Sequence, residues 1–171
     1  MTIKVIGTLR IGIPLYNVYL NEADEWSRRL QTELSEWALE LHRPLGDSTV
    51  GLAHSLAGSS ATVGFRALSE IARALEQALQ HVQLQSRGQA EQAKVFLAAA
   101  DDVRHLLHQF AAGFLKEPDP QLIEALHAIL TADFAITGSG ALTASPVMVP
   151  DEPGETPDVG AAETVDAEDD F

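Results

Sequence analysis

Residues 54–65 read His-Ser-Leu-Ala-Gly-Ser-Ser-Ala-Thr-Val-Gly-Phe, and the spacing inside this stretch decides how the chain folds. With Val50–Ala53 ahead of it, the segment predicts a short helix that stops at Gly64, a residue type suited to a helix C-terminus. At 3.6 residues per turn, Leu52, Leu56 and Val63 fall on one side and face a core, while His54 points the opposite way into water. Around His54 lie Val50, Gly51, Ala57, Gly58 and Ala61, all short, so the expected surface is smooth and open to an approaching protein. Gly58, one turn beyond His54, costs about 1 kcal/mol relative to alanine in a helix interior, which invites explanation by close approach of another backbone or group. Gly64 needs no such explanation, because its turn position is a structural one.

Outward from this helix, the chain continues to alternate apolar stripes with breaks. Toward the N-terminus, Tyr19, Ala23, Trp26, Leu30, Leu34, Trp37 and Leu41 recur every three or four residues, predicting a long amphipathic helix that opens at Pro14 and ends at Arg43-Pro44-Leu45-Gly46. Its other face carries Glu22, Glu25, Arg28, Arg29 and Glu36, read as a solvated charged face. Asp47 or Ser48 is placed to cap the His54 helix. Residues 1–13 read as an extended segment, with Ile3, Val5, Leu9, Ile11 and Ile13 at odd positions and a bend at Gly7-Thr8. Toward the C-terminus, Leu68, Ile71, Leu75, Leu79 and Val82 form a stripe in which Ala72, Ala74 and Ala78 permit close helix packing. After a break at Gln85-Ser86-Arg87-Gly88, a further stripe runs through Phe96, Ala100, Val103, Leu107, Phe110 and Phe114, closed by Pro118-Asp119-Pro120. The expected fold is therefore all-α: an up-down four-helix bundle over residues 14–137. Leu122, Ile123, Leu126, Ile129 and Leu130 lie on an additional C-terminal helix packed outside it. From Gly138 to Phe171 apolar periodicity stops, and the expectation is a disordered acidic tail that cannot offset its ordering entropy by burial.

Charge and composition exclude several functions. The formal net charge is −14, and residues 138–171 hold nine acids and no base, leaving −5 on the rest. Such a surface repels nucleic acid. With no cysteine the chain has no thiol nucleophile, disulfide or Cys-based zinc site. No apolar run reaches membrane-spanning length and no secretion signal is visible, so a cytoplasmic location is expected. Glu124 and His127 match the Glu-x-x-His spacing of di-iron bundles, but only Asp102 and His105 approach a second copy, and no metal site is expected. Gly138-Ser139-Gly140 follows no strand and makes no nucleotide loop.

The order His54, Ser55, Leu56, a variable residue, Gly58, Ser59, Ser60 and then Gly64, with Leu68 and Ala74-Leu75-Glu76 on the following helix, resembles the histidine phosphotransfer (HPt) motif across residues 15–115. It is similar in particular to HPt modules of CheA-type hybrid histidine kinases, including the multi-HPt kinases of type IV pilus twitching motility. The family usually has Lys or Arg three residues after the histidine, and Ala57 stands there.

The resemblance implies that His54 accepts a phosphoryl group and that Glu76, twenty-two residues on, holds its imidazole, fixing the tautomer with Nε2 as nucleophile. It also implies a receiver domain and a CheA-type kinase core as partners, which would bring ATP and Mg²⁺ to a module with no intrinsic cofactor. Val50, Ala57, Gly58, Ala61, Ser69 and Arg73 are the candidate docking residues. Arg73 is also a candidate source of the positive charge missing at position 57. The blander readings stand beside these: an ordinary surface histidine at 54, solvated helix-flank groups at 73 and 76. A degenerate bundle that only binds partners is the alternative function, and Ala57 is the residue that favours it.

Overall fold

The computed structural model describes residues 2–85 and 87–139. A two-stranded antiparallel hairpin, β1 (Ile3–Ile6) and β2 (Leu9–Gly12), leads into five helices: α1 (Ile13–Leu39), α2 (Asp47–Val63), α3 (Arg66–Gln83), α4 (Ala90–Ala111) and α5 (Pro120–Ser139). The helical bundle expected from the stripes is present. α1 packs on α2 and α4, and α3 packs on α2 and α4, so four helices close a ring around one core. Residues 1–130 make one compact unit. The acidic segment expected from Gly138 lies, from residue 140 onward, outside the described residues.

The core follows the periodicity. Leu30 and Leu34 from α1, Leu52 and Leu56 from α2, Leu68, Ile71, Leu75 and Leu79 from α3, and Phe96, Val103 and Phe110 from α4 are all buried. Phe110 is its aromatic hub: its ring stacks on Phe65 at 4.3 Å and meets Tyr16 and Tyr19 at 5.8 and 5.7 Å. From α5, Leu126 and Ile129 join the same core, and Leu122 and Ile123 are half-buried against it.

Four details depart from the stripes. The N-terminal segment is a hairpin turning at Gly7 (φ 61°), and the turn shifts the alternation, so that Ile6 and Ile11 are buried while Ile3 and Val5 stay exposed. α1 stops at Leu39, because the indole Nε1–H of Trp37 donates to the Arg43 carbonyl at 2.9 Å and folds the loop back. Trp26 is half-buried rather than central. α4 ends at Ala111, Gly113 turns the chain with φ 97°, and Phe114 is left exposed. Asp119 caps α5 by accepting the Gln121 N–H at 2.9 Å, with Pro120 opening the helix.

Candidate functional site

Three contacts mount α2 rigidly. At its start neither Asp47 nor Ser48 acts as a side-chain cap; Gly46 is the extended N-cap residue. The Glu33 carboxylate of α1 instead accepts both the Ser48 and Thr49 hydroxyls, at 2.9 and 2.8 Å. In its last turn, the buried Tyr19 hydroxyl lies 2.6 Å from Ser60 Oγ, and burial pushes the Tyr19 phenol well above its ordinary pKa, so it stays neutral. At the end, the Gly64 N–H donates to Ala61 O and the Phe65 N–H to Ser60 O, a Schellman motif with Gly64 at φ 88°. A Cβ at Gly64 would also lie 2.8 Å from Leu9 Cδ1 of the hairpin, so glycine is required there by sterics as well as by dihedral.

On this mount the His54 side chain is 71% exposed, and its Nδ1 sits 2.8 Å from Oε2 of Glu76, which is only 13% exposed. A carboxylate can only accept, so Nδ1–H donates and the lone pair of the neutral ring lies on Nε2. Gly51 and Gly58 flank the histidine, with nothing within 4 Å of the place a Cβ would occupy at either, and Ala61 is exposed two turns on. Val50 is half-buried at the edge of this face.

Two expected docking residues are elsewhere. Ala57 is 1% exposed: it points beneath α3, where the Ser69 hydroxyl donates to its carbonyl at 2.9 Å. Ser69 is buried by the same contact. A helical wheel places Ala57 60° from His54, and that angle is enough to carry it under the neighbouring helix. Together Ala57 and Ser69 set the α2–α3 spacing and offer nothing to a partner. Arg73 is exposed on α3.

Sequence reasoning missed Glu33, Ser27 and Arg104. Glu33 lies among the acids and bases of the α1 outer face and gives no local sign of its partners fifteen and sixteen residues away. Arg104 of α4 donates to Asp24 Oδ1 at 3.0 Å and to the buried Ser27 hydroxyl at 2.8 Å. That hydrogen bond, foremost, holds the Asp24 carboxyl below its ordinary pKa. Among the described residues no group of His, Asp and Glu side chains is arranged to hold a metal ion, and no helix is long and apolar enough to cross a membrane.

Comparison with protein families gives the arrangement its class. The Hpt domain model matches residues 14–132, well over half of the chain, and the protein belongs to this family. Hpt domains carry out histidine phosphotransfer in phosphorelays, exchanging phosphoryl groups with the receivers of response regulators. A comparison with curated proteins finds no match.

Proposed function

We propose that this chain is the phosphotransfer module of a CheA-type hybrid histidine kinase of the twitching-motility kind, working in the cytoplasm, with His54 as acceptor. The observation that carries the reading is the 2.8 Å contact from the His54 imidazole to a sheltered carboxylate on the next helix. In the proposed step the Nε2 lone pair attacks the phosphorus of an acyl phosphate on a receiver aspartate. The P–N bond forms as the P–O bond breaks, and the aspartate leaves as a carboxylate. The ring keeps its Nδ1 proton and becomes cationic, and Glu76 opposes that charge where it develops. Reversal returns the group to a receiver; with a kinase core the donor is the γ-phosphoryl of ATP and ADP leaves. ATP and Mg²⁺ come with the partner domains, because the step asks of this chain only an oriented nucleophile and an open face. Val50, Gly58 and Ala61 form that face, with Arg73 at its α3 edge.

Incubation with a phosphorylated receiver, or with a CheA-type kinase core and ATP, is expected to place acid-labile phosphate on the chain. His54→Gln abolishes the label with helicity intact, and Glu76→Ala slows labelling without eliminating it. Label persisting in His54→Gln, on His81, His105 or another site, sinks the proposal. The alanine at 57 favours the second reading, a bundle that only binds partners; it is the correct one if receivers bind the wild type and no phosphate is ever transferred.

A further inference from the structure

We infer that Arg73 is the cation of the phosphorylated state: its guanidinium, reaching across from α3, binds the phosphoryl group on His54 Nε2. The inference rests on the reading of His54 as acceptor and concerns how the added charge is balanced. Phosphorylation places about 1.5 to 2 negative charges and three strong acceptor oxygens on the ring. On α2 itself nothing answers them, since its only titratable residues are Asp47 and His54. Position 57 is spent on packing, its side chain under α3 and its carbonyl bonded to Ser69. The acids of α3 do not answer them either, for Glu76 already sits on the ring and Glu70 lies one turn before Arg73.

Arg73 has the right address. Ser69, Arg73 and Glu76 fall within a 60° arc of α3. Ser69 touches α2 at Ala57 and Glu76 touches it at His54. Those two contacts bracket Arg73 along α3, so it stands beside the 54–57 turn of α2, displaced toward solvent. It is exposed, and among the described residues it makes no hydrogen bond or ion pair, although Glu70 and Glu76 both lie three residues away. Glu76 is committed to Nδ1, which leaves the guanidinium available. A guanidinium is the group best shaped to meet a phosphoryl with two parallel N–H donors. The two α3 side chains thus divide the work: Glu76 serves the ring and Arg73 serves the group added to it.

The test needs no partner protein. The full chain is labelled with phosphoramidate, a small phosphoryl donor, and the phosphohistidine resonance is followed by ³¹P NMR through the second phosphoryl ionisation, ordinarily near pH ~6. A neighbouring cation favours the dianion, so Arg73→Gln is expected to raise that ionisation by about half a pH unit or more, and Arg73→Lys by less. Unchanged titration in Arg73→Gln overturns the inference. Because Arg73 is exposed and has no partner among the described residues, circular dichroism is expected to be identical for all three proteins, separating the electrostatic role from a structural one. His54→Gln run alongside must lose the resonance; if it does not, the assignment of His54 as acceptor fails first and the role of Arg73 with it.

Discussion

Two of the bundle's four seams, α1–α4 and α2–α3, are built differently. Between α1 and α4 the contacts are large and interlocked: Tyr16 and Tyr19 lie on Phe110, Trp37 on Phe96, and Arg104 reaches from α4 to Asp24 and Ser27. Between α2 and α3 the packing side chains include many alanines, and three polar links cross it: Ser69 to the Ala57 carbonyl, His54 to Glu76, and the Gln83 amide to the Asp47 carboxylate at 2.8 Å. The first seam is where the large aromatic side chains of the core interlock. The second brings two helices close enough for one carboxylate to reach one imidazole while the surface above stays bare. Substitutions at the α1–α4 seam should therefore act on stability, and those at the exposed surface of the α2–α3 seam on chemistry.

The sharpest way to break this contrast is at Phe110, where α1, α4 and the turn after α2 meet. Phe110→Ala is expected to cost about 3 to 5 kcal/mol in chemical denaturation, since it leaves a cavity that three aromatic neighbours line. His54→Gln is expected to leave the denaturation midpoint unchanged. Equal losses for the two would show that the bare face is also a structural one.

A smaller effect is expected at Arg104. Arg104→Ala removes hydrogen bonds to a carboxylate and to the buried Ser27 hydroxyl, and should cost about 1 to 3 kcal/mol near neutral pH. The Asp24 carboxyl is depressed in the fold, so its contribution is fully present above its unfolded pKa of roughly 3.9 and is lost as pH falls through the lower folded value. The difference between wild type and Arg104→Ala should therefore shrink below about pH 4. A difference that stays constant down to pH ~2 would mean that Arg104 acts through Ser27 and packing and that the Asp24 contact adds nothing.

The stripes carried most of the fold because burial repeats at helical spacing, and the seam positions Leu30, Leu56, Leu75 and Phe96 could be read that way. The hairpin was harder. Ile3 and Val5 alternate with polar neighbours as buried strand residues do, yet the turn at Gly7 hands the inner face to Ile6 and Ile11. At the site, His54 and Glu76 were legible through a motif whose spacing crosses one tight turn. Ala57 was misplaced because a surface drawn from one helix alone cannot show where its neighbour lies. Glu33 and Arg104 act over long sequence separations with no periodic signature, and only the packed bundle brings them to their partners.

The smallest effect, and the one of opposite sign, concerns Asp102 of α4, which meets the entry to α5. Its Oδ2 accepts the Asp119 N–H at 3.1 Å, and partial burial, the largest influence on it, raises its pKa above the ordinary carboxylate value. A carboxyl raised in the fold disfavours the folded state at neutral pH, and the penalty is relieved as pH falls through that raised value toward the unfolded pKa of roughly 3.9. Asp102→Asn removes the charge and keeps an oxygen that can accept the same N–H. It should therefore be neutral or stabilising by up to about 0.5 kcal/mol at pH 7, with the gain disappearing as pH falls below the unfolded pKa, where both states of the wild type are protonated. Thermal melts of the two proteins across that range check the sign: a variant that melts lower at pH 7 would show that the ionised carboxylate is needed to hold the start of α5, and that the bundle's end depends on charge as its α1–α4 seam does.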